Sequence, residues 1–286
     1  MLGQKIKIYL WHTYEHLFAP DGRPDIGFFS YALTASNHAI LRFPQHVETV
    51  REVVSHLEEK PQTLPSGGKM TARRFLQLGL CLGGGGGIEQ MHYLLESPWV
   101  GEGESKRLSF DFLVSAEAMS SFETNPMYAV MHESIYCSGK GHSSNWSAGR
   151  RLDPRFDHKK ALANGEPIMF FGEHTFDWMY EDYDKLRGLK DAAMLIGAKK
   201  DWGKLYDSAK LKACSVPTAA AMYYDDVYVE RLLSEETAAM IGSGPGGVET
   251  KVWVTNEYQH SGIRDDGYKI LDKLLGMVGG TINVPS

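Results

Sequence analysis

Apolar residues recur at helical spacing through most of the first two hundred positions of this 286-residue chain. Thr71 and Asn125 stand where helix N-caps are expected, and Pro126 suits a first helical turn because it has no amide to satisfy there. The clearest helical face lies in 46–60, where Val47, Val50, Val53, Val54 and Leu57 share one side. Helices are predicted over 28–41, 46–60, 71–82, 88–95, 125–136 and 177–196, with a short extended piece at 167–171.

After residue 212 the pattern changes from helices to alternating strands and helices. The run 216–224 is apolar without helical spacing, and 250–255 is rich in β-forming residues. Between them Ser234 has the sequence context of an N-cap, with Glu235 and Glu236 following it. A strand-helix-strand unit of this kind forms parallel strands with a right-handed crossover, so the loops after both strands should meet at one sheet edge. A last helix over 268–278 would cover the sheet.

Composition limits the kinds of partner this chain can have. The formal net charge is −6, from 30 basic and 36 acidic residues without long blocks of either sign. This argues against nucleic acid and membrane surfaces and favours small polar or neutral ligands.

Three widely spaced cysteines argue against a disulfide framework and for a reducing compartment. No apolar run approaches the roughly 20 residues that span a bilayer, so a cytoplasmic location is predicted, and a homo-oligomer is compatible with the sequence.

An acidic residue and a histidine follow the two predicted strands. Asp226 comes just after the first strand, with Asp225 beside it, and His260 comes after the second. In the α/β-hydrolase fold the last two members of a catalytic triad follow consecutive strands in this order, acid and then histidine. Each residue alone could equally be a solvated loop residue. Their order and spacing make Asp226 and His260 candidates for an acid–base pair.

Three weaker motifs have ordinary structural interpretations. Cys81 lies in a G-x-C-x-G run, but a capped helix precedes it instead of the strand that a nucleophile elbow needs, which favours a buried thiol. The five glycines at 83–87 lack the Lys-Ser/Thr ending of a phosphate loop and are interpreted as a place of close helix packing. His132 begins half of an H-E-x-x-H motif, but Tyr136 occupies the second ligand position, so no metal site is predicted and no cofactor is expected.

Several segments resemble the proline iminopeptidase family of serine hydrolases. They are RRFLQLGLCLGGGGGIEQMHYLLE, SSFETNPMYAVMHESIYCSG, FFGEHTFDWMYED, AAAMYYDDVYVE and VWVTNEYQHSGIRDDG. The resemblance implies release of an amino-terminal proline through an acyl-enzyme, with His260 as base and the Asp pair supplying the acid. Asp226 is preferred because its Asp-x-x-Val run matches the family, with Asp225 as the alternative. Glu173 and Glu133 correspond to cap carboxylates that hold the free α-amino group of a peptide or small amide substrate.

The family's serine elbow and the core strands before it are not found in this sequence. The expected fold class is therefore α/β, as a partial α/β-hydrolase fold. We expect a poorly interpretable amino-terminal segment at 1–28, a large helical cap domain at 29–206, and a core segment with the acid and histidine at 207–286. A chain truncated in this way should have little or no peptidase activity alone. Three alternatives stay open: a non-catalytic binding protein derived from a cap, a hydrolase of non-peptide esters or amides, and a hydrolase that uses Cys81.

Overall fold

The computed structural model describes residues 27–141, 143–204 and 206–283, with side chains from Ala32 onward. The predicted amino-terminal segment at 1–28 therefore lies almost wholly outside the described residues. The first part of the described chain is built from helices: α1 (Gly27–Arg42), α2 (His46–Glu59), α3 (Ala72–Leu76), α4 (Gly87–Glu96), α5 (Phe110–Ala118), α6 (Pro126–His132), α7 (Ser147–Arg150), α8 (His158–Asn164), α9 (Met179–Asp182), α10 (Asp184–Arg187) and α11 (Lys190–Ala198).

Short pieces of other structure connect these helices. Two antiparallel hairpins have strands of only two residues, and they were not predicted: β1 (Gln62–Thr63) with β2 (Lys69–Met70), and β3 (Trp99–Val100) with β4 (Arg107–Leu108). Tight 3₁₀ turns lie at Gln77–Gly83, Gly103–Ser105, Glu133–Tyr136 and Pro154–Phe156.

A single buried cluster holds the helical part together. Phe75 is fully buried. Its ring meets the Phe170 ring edge-on with centroids 5.4 Å apart, and the Phe112 ring in a tilted arrangement with centroids 6.1 Å apart. Arg74 is also buried in this cluster, where its guanidinium lies 3.7 Å from the centre of the Tyr183 ring and bonds Glu123 at 3.0 Å. A buried charge is tolerated only when paired in this way, so the network is part of the packing.

The carboxy-terminal part contains the predicted strand-helix-strand unit. Its elements are α12 (Ser208–Lys212), β5 (Ala219–Tyr223), α13 (Arg231–Met240), β6 (Lys251–Thr255), α14 (Gly262–Asp265) and α15 (Gly267–Gly279). β5 and β6 pair in parallel, with Ala219 opposite Lys251 and Tyr223 opposite Thr255, which confirms the predicted parallel arrangement. Both α13 and α15 pack against β5. Helices combined with a parallel strand pair are compatible with the α/β class, and the proposed domain boundaries stay a prediction.

Local predictions differ from the structure at five places. The helix predicted over 71–82 becomes 3₁₀ after Leu76, and the one over 125–136 does so after His132. The piece at 167–171 forms no strand, and 177–196 is divided among α9, α10 and α11. Ser234 is not an N-cap, because α13 already begins at Arg231 and the Ser234 hydroxyl bonds the Glu230 carbonyl inside the helix.

Candidate active site

Asp226 and His260 are in contact at the end of the parallel strand pair. Asp226 is 6% exposed, and its two carboxylate oxygens lie 3.2 and 3.1 Å from Nδ1 of His260. The backbone amides of Tyr228 and Val229 donate to Oδ1 of Asp226 at 2.9 and 3.0 Å, which fixes the carboxylate in its turn. With Nδ1–H donating to Asp226, Nε2 becomes the basic nitrogen of the imidazole. Asp225, the alternative acid, is exposed beside this pair.

The environment favours the protonated form of His260. Burial by itself lowers the pKa of a histidine, but here the hydrogen bond and charge of Asp226, with a smaller contribution from Glu173, raise the pKa above its ordinary value. An imidazole held by a buried carboxylate in this way is suited to accept a proton from a reacting group and to stabilise the resulting cation.

Glu173 reaches the same site from the helical part. It lies in the segment between Phe171 and α9, and its Oε1 accepts a hydrogen bond from the Tyr128 hydroxyl of α6. Although Glu173 keeps some solvent exposure, burial of its carboxyl raises its pKa, while Tyr128 and His260 oppose that rise. Asp226 and His260 are in direct contact, and Glu173 lies within the range over which its charge influences both of them.

Glu133 occupies a different environment. It is 1% exposed and accepts hydrogen bonds from the Ser144 hydroxyl at 2.5 Å and the Trp146 amide at 2.7 Å. Burial raises its pKa, and the charged residues that influence it are Arg150 and Asp177 instead of the Asp226–His260 pair. Asn145 and Trp146 have positive φ angles of 43° and 57°, so Glu133 stabilises a turn of unusual backbone geometry.

The glycine run packs beneath the two strand-end loops. A Cβ on Gly83 would lie 2.3 Å from Val227 and 2.5 Å from the ring of Tyr228, and the Gly85 amide donates to the Ser261 hydroxyl at 3.1 Å. The close approach expected of these glycines is present. Gly87 packs against the backbone of the 3₁₀ turn Gln77–Gly83, as the helix-packing interpretation expects, and the loops after β5 and β6 also approach Gly83 and Gly85. Sequence reasoning missed Tyr228, whose ring lies edge-on to His260 with centroids 4.8 Å apart.

Cys81 and His132, the weaker candidates from the sequence, lie in environments typical of residues that stabilise the fold. Burial raises the pKa of the Cys81 thiol to about 12, and Cys81 lies within the 3₁₀ turn Gln77–Gly83 instead of after a strand. His132 is buried, and its Nε2 lies 2.7 Å from the Tyr136 hydroxyl. Across the described part of the chain, no three His, Cys, Asp or Glu side chains are grouped as a metal site would require.

Comparison with curated proteins gives two related sequences. A proline iminopeptidase from Aeromonas sobria is 40% identical over 234 residues, which is 82% of this chain and 52% of that protein. This chain is a relative of the proline iminopeptidase family. The resemblance predicted from the sequence is therefore confirmed. Proline iminopeptidase aneH from Aspergillus aculeatus is 31% identical over 242 residues, covering 82% of this chain and 50% of that protein.

The relationship to proline iminopeptidases covers only part of those proteins. The chain spans about half the length of the curated relatives it matches. No protein-family model matches the chain. Within the residues that the structure describes, no helix has both the length and the apolar character to cross a membrane.

Proposed function

We propose that this chain supplies the acid–base pair and the amino-group recognition of a prolyl-aminopeptidase-type hydrolase. The observation that carries the proposal is the contact between Asp226 and His260 at the ends of two adjacent parallel strands. In the proposed reaction Asp226 orients the imidazole, and Nε2 of His260 takes the proton of a serine hydroxyl as it attacks the carbonyl of an amino-terminal proline residue. The same nitrogen then returns the proton to the departing amine.

The proposed substrate has a free amino terminus because a carboxylate lies within electrostatic range of the acid–base pair. A proline α-ammonium is a cation, and a partly buried carboxylate binds it through charge-assisted hydrogen bonds. Glu173 fits this role, since it is held by Tyr128 and lies close enough to His260 for their charges to interact. Glu133 fits less well, because its carboxylate already accepts hydrogen bonds from Ser144 and Trp146.

The proposal includes a partial α/β-hydrolase fold whose serine nucleophile is supplied by sequence outside these 286 residues. Two observations support it: the curated relatives are about twice as long, and β5 and β6 are mostly half-buried, whereas parallel strands normally pack on both faces. The pKa of the partly buried Cys81 thiol is raised to about 12, which argues against that residue as the nucleophile. We expect weak or no turnover by this chain alone, and a cytoplasmic location and a homo-oligomer stay predictions.

Binding of a prolyl dipeptide amide tests the recognition step. Calorimetric titration of the chain should detect binding, and Glu173→Gln should weaken it at least tenfold because the ammonium loses its counter-charge. The exposed Glu104 provides a matched control, since Glu104→Gln removes the same charge away from the site. An N-acetylated prolyl amide should not bind. Equal affinities of the wild type and Glu173→Gln would overturn the assignment.

Hydrolysis of proline p-nitroanilide tests the catalytic step. The chain should release p-nitroaniline slowly or not at all, whereas a protein made from the longest reading frame that contains this sequence should turn over and lose activity on His260→Ala. Turnover by the longer protein that survives His260→Ala would contradict the proposed base. Binding without turnover by both proteins would favour a non-catalytic binding protein, and cleavage of p-nitrophenyl acetate alone would favour an esterase.

A further inference from the structure

Tyr228 contacts both members of the acid–base pair. Its ring lies edge-on to the His260 ring, with centroids 4.8 Å apart and planes at 85°. Its backbone amide donates to Oδ1 of Asp226 at 2.9 Å. An edge-to-face contact of this kind favours one orientation of the imidazole over others. Tyr228 therefore constrains the histidine from the ring side and the carboxylate from the backbone side.

The other end of Tyr228 is anchored in the helical part. Its hydroxyl donates a hydrogen bond to the carbonyl oxygen of Leu80, which belongs to the 3₁₀ turn Gln77–Gly83. Gly83 of that turn leaves the space that the tyrosine ring occupies, because a Cβ there would lie 2.5 Å from Cζ of Tyr228. Burial also raises the pKa of Tyr228 above its ordinary value, so the hydroxyl remains a donor at physiological pH.

We infer that Tyr228 is a positioning residue that ties the His260 imidazole to the helical part of the molecule. The carboxylate proposed to hold the substrate, Glu173, belongs to that same part, whereas His260 follows β6. The tyrosine thus joins the two halves of the site and keeps the base at a fixed separation from the ammonium-binding group. The role of Tyr228 in catalysis rests on the proposed function, but its contact with His260 can be measured without any substrate.

The first measurement uses the wild-type chain. With histidine imidazole groups isotopically labelled, the His260 signals can be identified among the eleven histidines by their loss in His260→Asn. Nuclear Overhauser effects are expected between the His260 ring protons and the Tyr228 ring protons. Their absence in the folded protein would overturn the inference, whatever the variants show.

The second measurement compares two variants with matched controls. Tyr228→Phe keeps the ring and removes the anchor to Leu80, and Gly83→Ala pushes the ring from below. Each should shift the His260 ring signals and lower the pKa of His260 toward its ordinary value, because the bond to Asp226 is less well aligned. The controls are Tyr224→Phe, at an exposed tyrosine, and Gly188→Ala, where a Cβ meets open space.

The outcomes separate this inference from the proposed function. His260 signals and pKa that change in Tyr228→Phe but not in Tyr224→Phe support positioning. A Tyr228→Phe variant that is less stable while its His260 titrates as in the wild type would show a packing role only and overturn the inference. If the signals respond as expected but no prolyl peptide binds, the positioning stands and the proposed function fails.

Discussion

The helical part and the carboxy-terminal α/β part of this molecule are packed in different ways. The main buried cluster runs from Ala32 to Ala193, and among the described residues the α/β part contributes only partly buried Val227 to it. β5 and β6 keep most of their side chains half-buried, and Val254 is 41% exposed. The comparison indicates that the helical part is stabilised by its own apolar core. The acid–base pair is instead held by polar contacts and by the packing of its loops against the glycine run.

The largest expected loss of stability comes from making a cavity in the helical core. Phe75→Ala should lower the free energy of unfolding by about 4 kcal/mol, because Phe170 and its neighbours cannot close the space. Ile270 on α15 is equally buried, but Ile270→Ala should lower the free energy of unfolding by only about 2 kcal/mol. The less enclosed α/β part can relax into the space more easily. Urea unfolding measures both values. Equal losses would remove the contrast between the two parts.

A second effect tests the turn that Glu133 supports inside the helical part. Glu133→Ala leaves the Trp146 amide and the Ser144 hydroxyl without their acceptor, which should cost about 3 kcal/mol. Glu133→Gln keeps one acceptor oxygen and should cost about 1 kcal/mol. Thermal unfolding of the two variants distinguishes them. A small loss in Glu133→Ala would mean that this carboxylate is not structural and would return it to the candidates for substrate binding.

A third, smaller effect depends on pH and belongs to the α/β part. The pKa of His260 is raised in the folded chain, so the pair with Asp226 stabilises fully below the unfolded value of about 6.5, and this stabilisation is lost as pH rises through the folded pKa. Asp226→Asn should therefore cost about 1 kcal/mol at low pH and clearly less at high pH, after allowance for the partial exposure of His260.

The control for the pH effect is the neighbouring aspartate. Asp225→Asn alters an exposed carboxylate and should change unfolding by less at every pH. Unfolding in urea at pH 5.5 and pH 9 gives the comparison. A loss in Asp226→Asn that is the same at both values would mean that the histidine does not titrate against this carboxylate.

The smallest effect is an increase in stability at Glu173. The pKa of this carboxyl is raised in the folded chain, so folding favours its protonated form. The ionised form therefore lowers the free energy of unfolding as pH rises from the unfolded pKa through the folded pKa. Glu173→Gln should therefore raise the free energy of unfolding by a few tenths of a kcal/mol at pH 8 and leave it unchanged at pH 4. A destabilised variant at pH 8 would place Glu173 with Glu133 among the structural carboxylates.

The contact between Asp226 and His260 was readable in the sequence, because its geometry follows from local elements. Two strands joined by one helix pair in parallel, and their following loops meet at one edge. The same reasoning could not find Tyr128 or Tyr228, whose contacts with Glu173 and His260 depend on how the helical part sits against the strands. The glycines at 83–87 were the one available signal, since absent side chains indicated that something approaches closely.

Helix ends were harder to predict where distant residues supply the caps. The helix expected over 177–196 breaks before α10, and Glu123 accepts the backbone amides of Asp184 and Lys185 at 3.1 Å each. Such a cap satisfies helix amides from another segment, so no local residue marks it. Ser234 shows the opposite case, in which a typical capping sequence lies inside a helix that had already begun at Arg231.

The number of glycines in the run at 83–87 matters as much as their identity. A Cβ on Gly83 would clash with Val227 and Tyr228, and a Cβ on Gly87 would clash with the Cys81 carbonyl, while Gly85 lies against the Asp265 carboxylate. One glycine more or fewer would carry α4 out of step with the loops after β5 and β6, so an insertion here should damage the site as severely as a substitution within it.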